Sequence, residues 1–254
     1  KTHAKMLLVT RREGKGLRRY GHLSTGNYNS KTARLYTDLG FLTTDPEITA
    51  DADAVFRHLA SLNPLDRTKR LLVAPFDLQS TLVELMQKVA GAARAGRPAR
   101  IVAKFNALTD PVLIGALLEA GQAGAEIDLI VRGACMLPPG VPGHSEKIRV
   151  RSVVGRFLEH SRLYWFGNDG APELYCASAD WLERNLLRRV ESCFPILDPA
   201  LVARAVALNV AAPLMLTAAL ARAHSGELRI IHISSGAART PYAGWSVYCA
   251  TKAA

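Results

Sequence analysis

The sequence predicts an α/β protein, and three observations carry that expectation. Between residues 71 and 133, short apolar runs alternate with longer stretches whose apolar residues recur at helical spacing. Glycine and proline punctuate the joints, as at Gly96 and Pro98. Apolar residues make up 49% of the 254, enough for a sizeable core, and no charge-free apolar run reaches the length of a membrane-spanning helix.

Residues 4–10 and 18–24 read as strands around the turn-like EGKG at 13–16, and TGNYN at 25–29 reads as a loop. Residues 51–61 look helical. The polar, proline-containing stretch 63–69 is the expected boundary between a first domain, 1–69, and a second, 70–200. The alternation then begins with strand 71–76, helix 80–96, strand 99–105, helix 110–124 and strand 126–133. Asp110 is placed to cap the second helix, with Pro111 at its first position. Strand, helix, strand, helix, strand predicts a layer of largely parallel strands. After the irregular MLPPGVPGHS at 136–145, short strands are expected near 148–154, 162–167, 172–178 and 188–196, with a short helix at 181–185. A third segment, 201–254, reads as the rest of a helix over 199–223, a strand at 227–234 and a helix from 244. The first of these helices is expected to pack through Leu201, Val202, Ala205 and Leu208. Strand 227–234, lacking parallel neighbours, is expected to be the least ordered part or a makeshift edge strand, and residues 209–254 to be dispensable for the fold.

The net charge of +10 is unevenly spread. Residues 1–36 hold nine Lys and Arg against one Glu, residues 37–199 are close to balance, and residues 200–254 are again basic. Concentrated positive potential suits a polyanionic substrate, and no nucleic-acid-binding motif or aromatic interleaving accompanies it. The four cysteines, at 135, 176, 193 and 249, have no metal-ligand or disulfide spacing, which points to a reducing compartment. The expected location is the cytoplasm, free or held peripherally at a membrane, with no transmembrane segment. The chain opens inside a strand-like run, so it is expected to be a fragment.

A weak internal echo runs through the first two segments. His3-x-Lys5 precedes SerThrGlyAsnTyrAsn at 24–29, and His160-x-Arg162 precedes SerAlaAsp at 178–180. The pattern suggests two similar half-sites facing each other.

KTHAKMLLVTRRE, RRYGHLSTGNYNSKTARLYTDLGFLT, LIVRGACML, FLEHSRLYWF and LYCASADWLERN together resemble the C-terminal half of type-1 polyphosphate kinases, from residue 1 to about 200. The resemblance implies two phospholipase-D-like α/β layers, one truncated and one nearly complete, with paired histidines. It makes His3 the histidine phosphorylated by ATP, Lys5 its phosphate-neutralising neighbour and Tyr36 a contact of the adenine base. It assigns Arg132 and His160 to nucleotide or phosphate contacts, with His160 also catalytic. The implied partners are ATP or ADP and inorganic polyphosphate, not nucleic acid, with homo-oligomers for the intact enzyme. Magnesium is implied with ATP, but no metal ligand is assigned in these residues. Its arginines and an adenine-contacting asparagine would belong to a part of the family enzyme that precedes residue 1. The 254 residues alone are therefore expected to turn over little.

Residues from about 207 resemble a central piece of short-chain dehydrogenases. Asn209, Ser235 and Tyr248-x-x-x-Lys252 stand at that family's spacing for a proton relay. The glycine-rich turn that binds a dinucleotide is missing from the sequence, so NAD(P) is not expected to bind and the four residues are expected to be bystanders. The seam between the resemblances falls near 201–208. Two other readings remain open, a reductase remnant on a kinase scaffold and a non-catalytic polyphosphate- or nucleotide-binding module.

Overall fold

The structure is a computed structural model and describes residues 1–65, 67–153 and 155–206. Expectations for 207–254, including Asn209, Ser235, Tyr248 and Lys252, fall outside the described residues.

The N-terminal hairpin pairs β1 (Lys5–Glu13) with β2 (Gly16–Ser24) in full register, from Lys5↔Ser24 to Glu13↔Gly16. Gly14 makes the turn at a φ of 59°, a left-handed conformation natural to glycine. A 3₁₀ turn (Thr32–Arg34) leads into β3 (Tyr36–Thr37), and β4 (Gly40–Thr43) pairs antiparallel with β2. No described strand pairs with the outer edge of β4. Helix α1 (Pro46–Ser61) starts five residues before its expected position. Asp45 accepts from the N–H groups of Glu47 and Ile48, both at 2.9 Å, and Pro46 supplies the first helical φ. The Asp-Pro-Glu start signal thus outranks the weak helix propensity of the residues that follow it.

The second sheet has seven strands in the order β5-β12-β11-β10-β6-β7-β8. They are β5 (Leu72–Ala74), β6 (Ala99–Phe105), β7 (Glu126–Val131), β8 (Ile148–Arg151), β10 (Leu163–Asn168), β11 (Glu173–Ala177) and β12 (Glu191–Pro195). The expected largely parallel layer is corrected here. Only β6, β7 and β8 pair parallel, and the other four pairings are antiparallel. Helix α2 (Leu78–Arg94) does not return the chain beside β5. Strands β10 to β12 insert between β5 and β6, and a tight turn through Asp169 and Gly170 makes β10 and β11 a hairpin. Helix α3 (Pro111–Gln122) is capped by Asp110, whose carboxylate accepts from Leu113 N–H at 2.9 Å. Helix α4 (Glu183–Arg188) and a helix α5 (Pro199–Val206) complete the described elements.

Residues alternate across this sheet because successive side chains of a strand point to opposite faces. Tyr164, Phe166, Ala177 and Cys193 join one apolar cluster with α2 and α3. Leu163, Leu174, Cys176 and Phe194 join a second with Leu23, Ile48, Ala52 and Val55 of the N-terminal segment. Val202 of α5 is buried in that second cluster, and Leu201 is half-buried. The N-terminal hairpin and α1 are therefore bound to the sheet by a shared core.

Two backbone junctions complete the docking. His3 and Ala4 donate to the carbonyl of Val190 at 2.8 and 3.0 Å, ahead of β12. Strand β3 pairs parallel with β9 (Leu158–Glu159), joining Tyr36↔Leu158 and Thr37↔Glu159. One junction carries His3 and the other leads into His160.

Candidate active site

His3 lies two residues ahead of β1, and Lys5 opens that strand. Their spacing puts the side chains together, with Lys5 Nζ 2.8 Å from His3 Nε2. On the other side of the ring, His3 Nδ1 donates to the Glu191 carboxylate at 2.8 and 2.9 Å. Glu191 is fully buried at the head of β12 and is held by the Ser178 hydroxyl at 2.5 Å. A carboxylate acceptor at Nδ1 fixes the tautomer that leaves the Nε2 lone pair free. Burial lowers the Lys5 pKa from 10.5 to about 8, although Glu191 opposes this.

His160 repeats the arrangement with the partners exchanged. Its Nδ1 donates to Asp38 at 2.7 Å, and Arg162 Nη1 lies 3.1 Å from its Nε2. Asp38 also accepts from the Thr25 hydroxyl at 2.8 Å. A Cβ on Gly26 would stand 2.2 Å from the Asp38 side chain, so only glycine allows this approach. Burial lowers the His160 pKa, and the charges of Arg162 and Lys5 add to it against the Asp38 hydrogen bond. Burial at this position thus favours the neutral imidazole.

Each histidine thus takes its carboxylate from the opposite segment, His3 from Glu191 and His160 from Asp38. Each also has a cation two residues along its own chain. The internal echo in the sequence corresponds to this reciprocal pair.

Tyr36 stacks obliquely against His160, with ring centroids 4.9 Å apart. Arg132 follows β7, half-buried, and donates to the Glu159 carbonyl at 2.6 Å. His3 with Lys5, and His160 with Tyr36, are each in contact, and Arg132 reaches the second group through the residue before His160. Sequence reasoning did not assign Asp38, Glu191, Arg162, Asp180 or Lys104. Asp180 is buried and accepts from Arg162 Nη2 at 3.0 Å and from Asn106 N–H at 2.7 Å. Burial would raise its pKa, but Arg162 and Asn106 together hold it below 3.8. Lys104, also buried, reaches Glu159 at 2.9 Å and the Ser161 hydroxyl at 2.7 Å. Glu191 carried a readable signal, being the one charge in the buried ESCFP strand.

Family models match residues 1–64 as polyphosphate kinase C-terminal domain 1 and residues 71–212 as polyphosphate kinase C-terminal domain 2. The chain belongs to the polyphosphate kinase family. Polyphosphate kinases of Xylella fastidiosa and Pseudomonas aeruginosa are 61% and 54% identical to it over 204 residues, 80% of this chain. Those residues span 29% and 30% of the relatives' own length. The crystal structure of polyphosphate kinase from Porphyromonas gingivalis superposes with a TM-score of 0.74 at 38% identity, covering 81% of this chain and 32% of that one. Residues 189–254 match a short chain dehydrogenase model. The two matches overlap at 189–212, and within that overlap β12 is an interior strand of the seven-stranded sheet. No described helix is long and apolar enough to cross a membrane.

Proposed function

We propose that these residues carry the phosphotransfer centre of an ATP:polyphosphate phosphotransferase that works through a phosphohistidine at His3. The observation that supports this most is the His3 ring itself, held at Nδ1 by Glu191 and faced at Nε2 by a buried cation. Nε2 attacks the γ-phosphorus of ATP. The N–P bond forms as the bond to the β–γ bridging oxygen breaks, and ADP leaves with that electron pair. An anionic terminal oxygen of a polyphosphate chain then attacks the same phosphorus. The new P–O bond replaces the N–P bond, and the lone pair returns to Nε2. Lys5 exchanges its contact with Nε2 for the phosphoryl oxygens, supplying charge where it develops. His160, Arg162 and Arg132 line the same centre as phosphate contacts, and Tyr36 offers a ring face to the base.

Magnesium would reach such a site with ATP. The residues present do not fit it as ligands. Asp38 and Glu191 are committed to imidazoles and Asp180 to a guanidinium, and no group of three or more His, Cys, Asp or Glu among the described residues is placed to hold a metal ion.

In an intact enzyme of this family that carries these residues, exposure to γ-labelled ATP should give an acid-labile, base-stable label on His3. His3→Ala should remove it, and His160→Ala should slow transfer. Label that survives His3→Ala overturns the proposal.

Lys5 gives the reaction a pH dependence. Its folded pKa of about 8 lies below its ordinary 10.5, so Lys5 loses its charge as pH rises through 8. The kcat/KM for labelling should fall along a limb centred there, and Lys5→Met should remove that limb along with most of the rate. Between pH 8 and 10.5 the unfolded chain binds the extra proton. Lys5 therefore adds to stability as pH rises, the opposite trend. A limb that persists in Lys5→Met would assign it to another group.

A further inference from the structure

The basic charge of residues 1–36 divides into separate places in the structure. Lys5 is buried beside His3, and Arg19 is paired with Asp53 of α1 at 3.3 Å. At the far end of the hairpin, Arg11 and Arg18 stand directly opposite each other in register, their side chains 66% and 57% exposed. Arg12 and Lys15 lie beside them, also exposed. Like charges directly across a strand pair are unfavourable unless something answers them. Glu13, the only acidic residue among the first 36, lies 3.8 Å from Arg11 and 3.7 Å from Arg18, so one carboxylate serves two guanidiniums. Arg18 also stacks over the Tyr20 ring at 5.4 Å, which fixes its direction.

Arg11 and Arg18 share a sheet face with Lys5, because residues 5, 7, 9 and 11 alternate to one side and Ser24, His22, Tyr20 and Arg18 pair with them. Six residues of antiparallel strand separate Lys5 from Arg11, about 20 Å. Leu7 and Val9 occupy the interval on β1, and opposite them on β2 His22 is engaged with the Tyr28 hydroxyl and the Tyr20 hydroxyl donates to Glu13. The face therefore carries two cationic anchor points with no lysine or arginine between them.

We infer that the hairpin tip, through Arg11 and Arg18, is a remote anchoring site for a polyphosphate chain whose end lies at His3, so that this chain binds long polyphosphate more tightly than short. The inference rests on the proposed phosphotransfer function. A long polyanion engages both anchors, and the second contact is made at the high effective concentration set by the first. A short chain reaches one anchor only.

The test measures binding of tripolyphosphate and of long-chain polyphosphate to the full chain by calorimetry, at low and at physiological salt. Arg11→Glu with Arg18→Glu should weaken long-chain binding about tenfold at low salt and leave tripolyphosphate binding unchanged. The difference should shrink as salt rises. Arg11→Lys with Arg18→Lys should keep most of the long-chain affinity, and matching thermal midpoints show that the hairpin still folds. Three results overturn the inference alone: long-chain binding unaffected by charge reversal, both probes weakened alike, or single-stranded DNA bound through these arginines as tightly as polyphosphate. A wild-type chain that binds neither probe overturns the phosphotransfer reading with it.

Discussion

Glu191→Ala is expected to slow phosphorylation of His3 by about 10⁴-fold, the scale seen when a carboxylate that sets a catalytic imidazole's tautomer is disabled. Glu191 accepts from His3 Nδ1 and from Ser178, and no other described carboxylate contacts this ring. Without it the ring can rotate, or place its proton on Nε2, and in either case the lone pair no longer faces the phosphorus. Glu191→Gln keeps the shape and one acceptor, so it should fall between wild type and alanine. Rapid-quench labelling with ATP checks this. The loss should appear in the rate of the chemical step, with the apparent affinity for ATP little changed. A destabilised fold would lower the thermal midpoint in parallel. An alanine variant that labels within threefold of wild type would remove Glu191 from the mechanism.

Asp180→Ala should have the largest effect on stability. Asp180 and Arg162 form a buried ion pair, and Asn106 completes the carboxylate's hydrogen bonds. Removing the anion strands a buried guanidinium, which costs about 3–5 kcal/mol. For a domain of this size the thermal midpoint should drop by about 10 °C. The pair also sets a pH dependence. The folded pKa of Asp180 lies below 3.8, so its contribution is complete above that value and is lost as pH falls through the folded pKa. Unfolding curves of wild type and Asp180→Ala should therefore converge in acid. Curves that stay parallel down to the lowest measurable pH would mean the pair contributes by packing rather than charge. Arg162 also touches His160, so catalysis should suffer along with stability.

Much of the fold was legible because it is locally encoded. Asp110-Pro111 announces α3, and the alternation from 71 to 133 marks its strands and helices. Strand order was not legible, because β10, β11 and β12 reach the middle of the sheet from far along the chain. No local pattern states that β5 ends at an edge. Strand β3 and strand β9 are two residues each and leave no periodicity to read. The site divides in the same way. His3 with Lys5 and His160 with Arg162 are neighbours in sequence, so their spacing was visible. Asp38 and Glu191 sit 122 and 188 residues from the imidazoles they hold, and only the folded chain brings them there.

That exchange of carboxylates acts as a coincidence detector. Under the proposed phosphotransfer, residues 1–64 contribute a nucleophile that lacks its tautomer-setting acid, and residues 71–206 contribute that acid while their own histidine waits for Asp38. Neither stretch carries a complete catalytic unit, so assembly of the hairpin against the sheet is itself the condition for reactivity. A nascent chain or a partly unfolded one would hold these groups unarmed, and the proposed phosphoramidate would form only where the tertiary structure is whole.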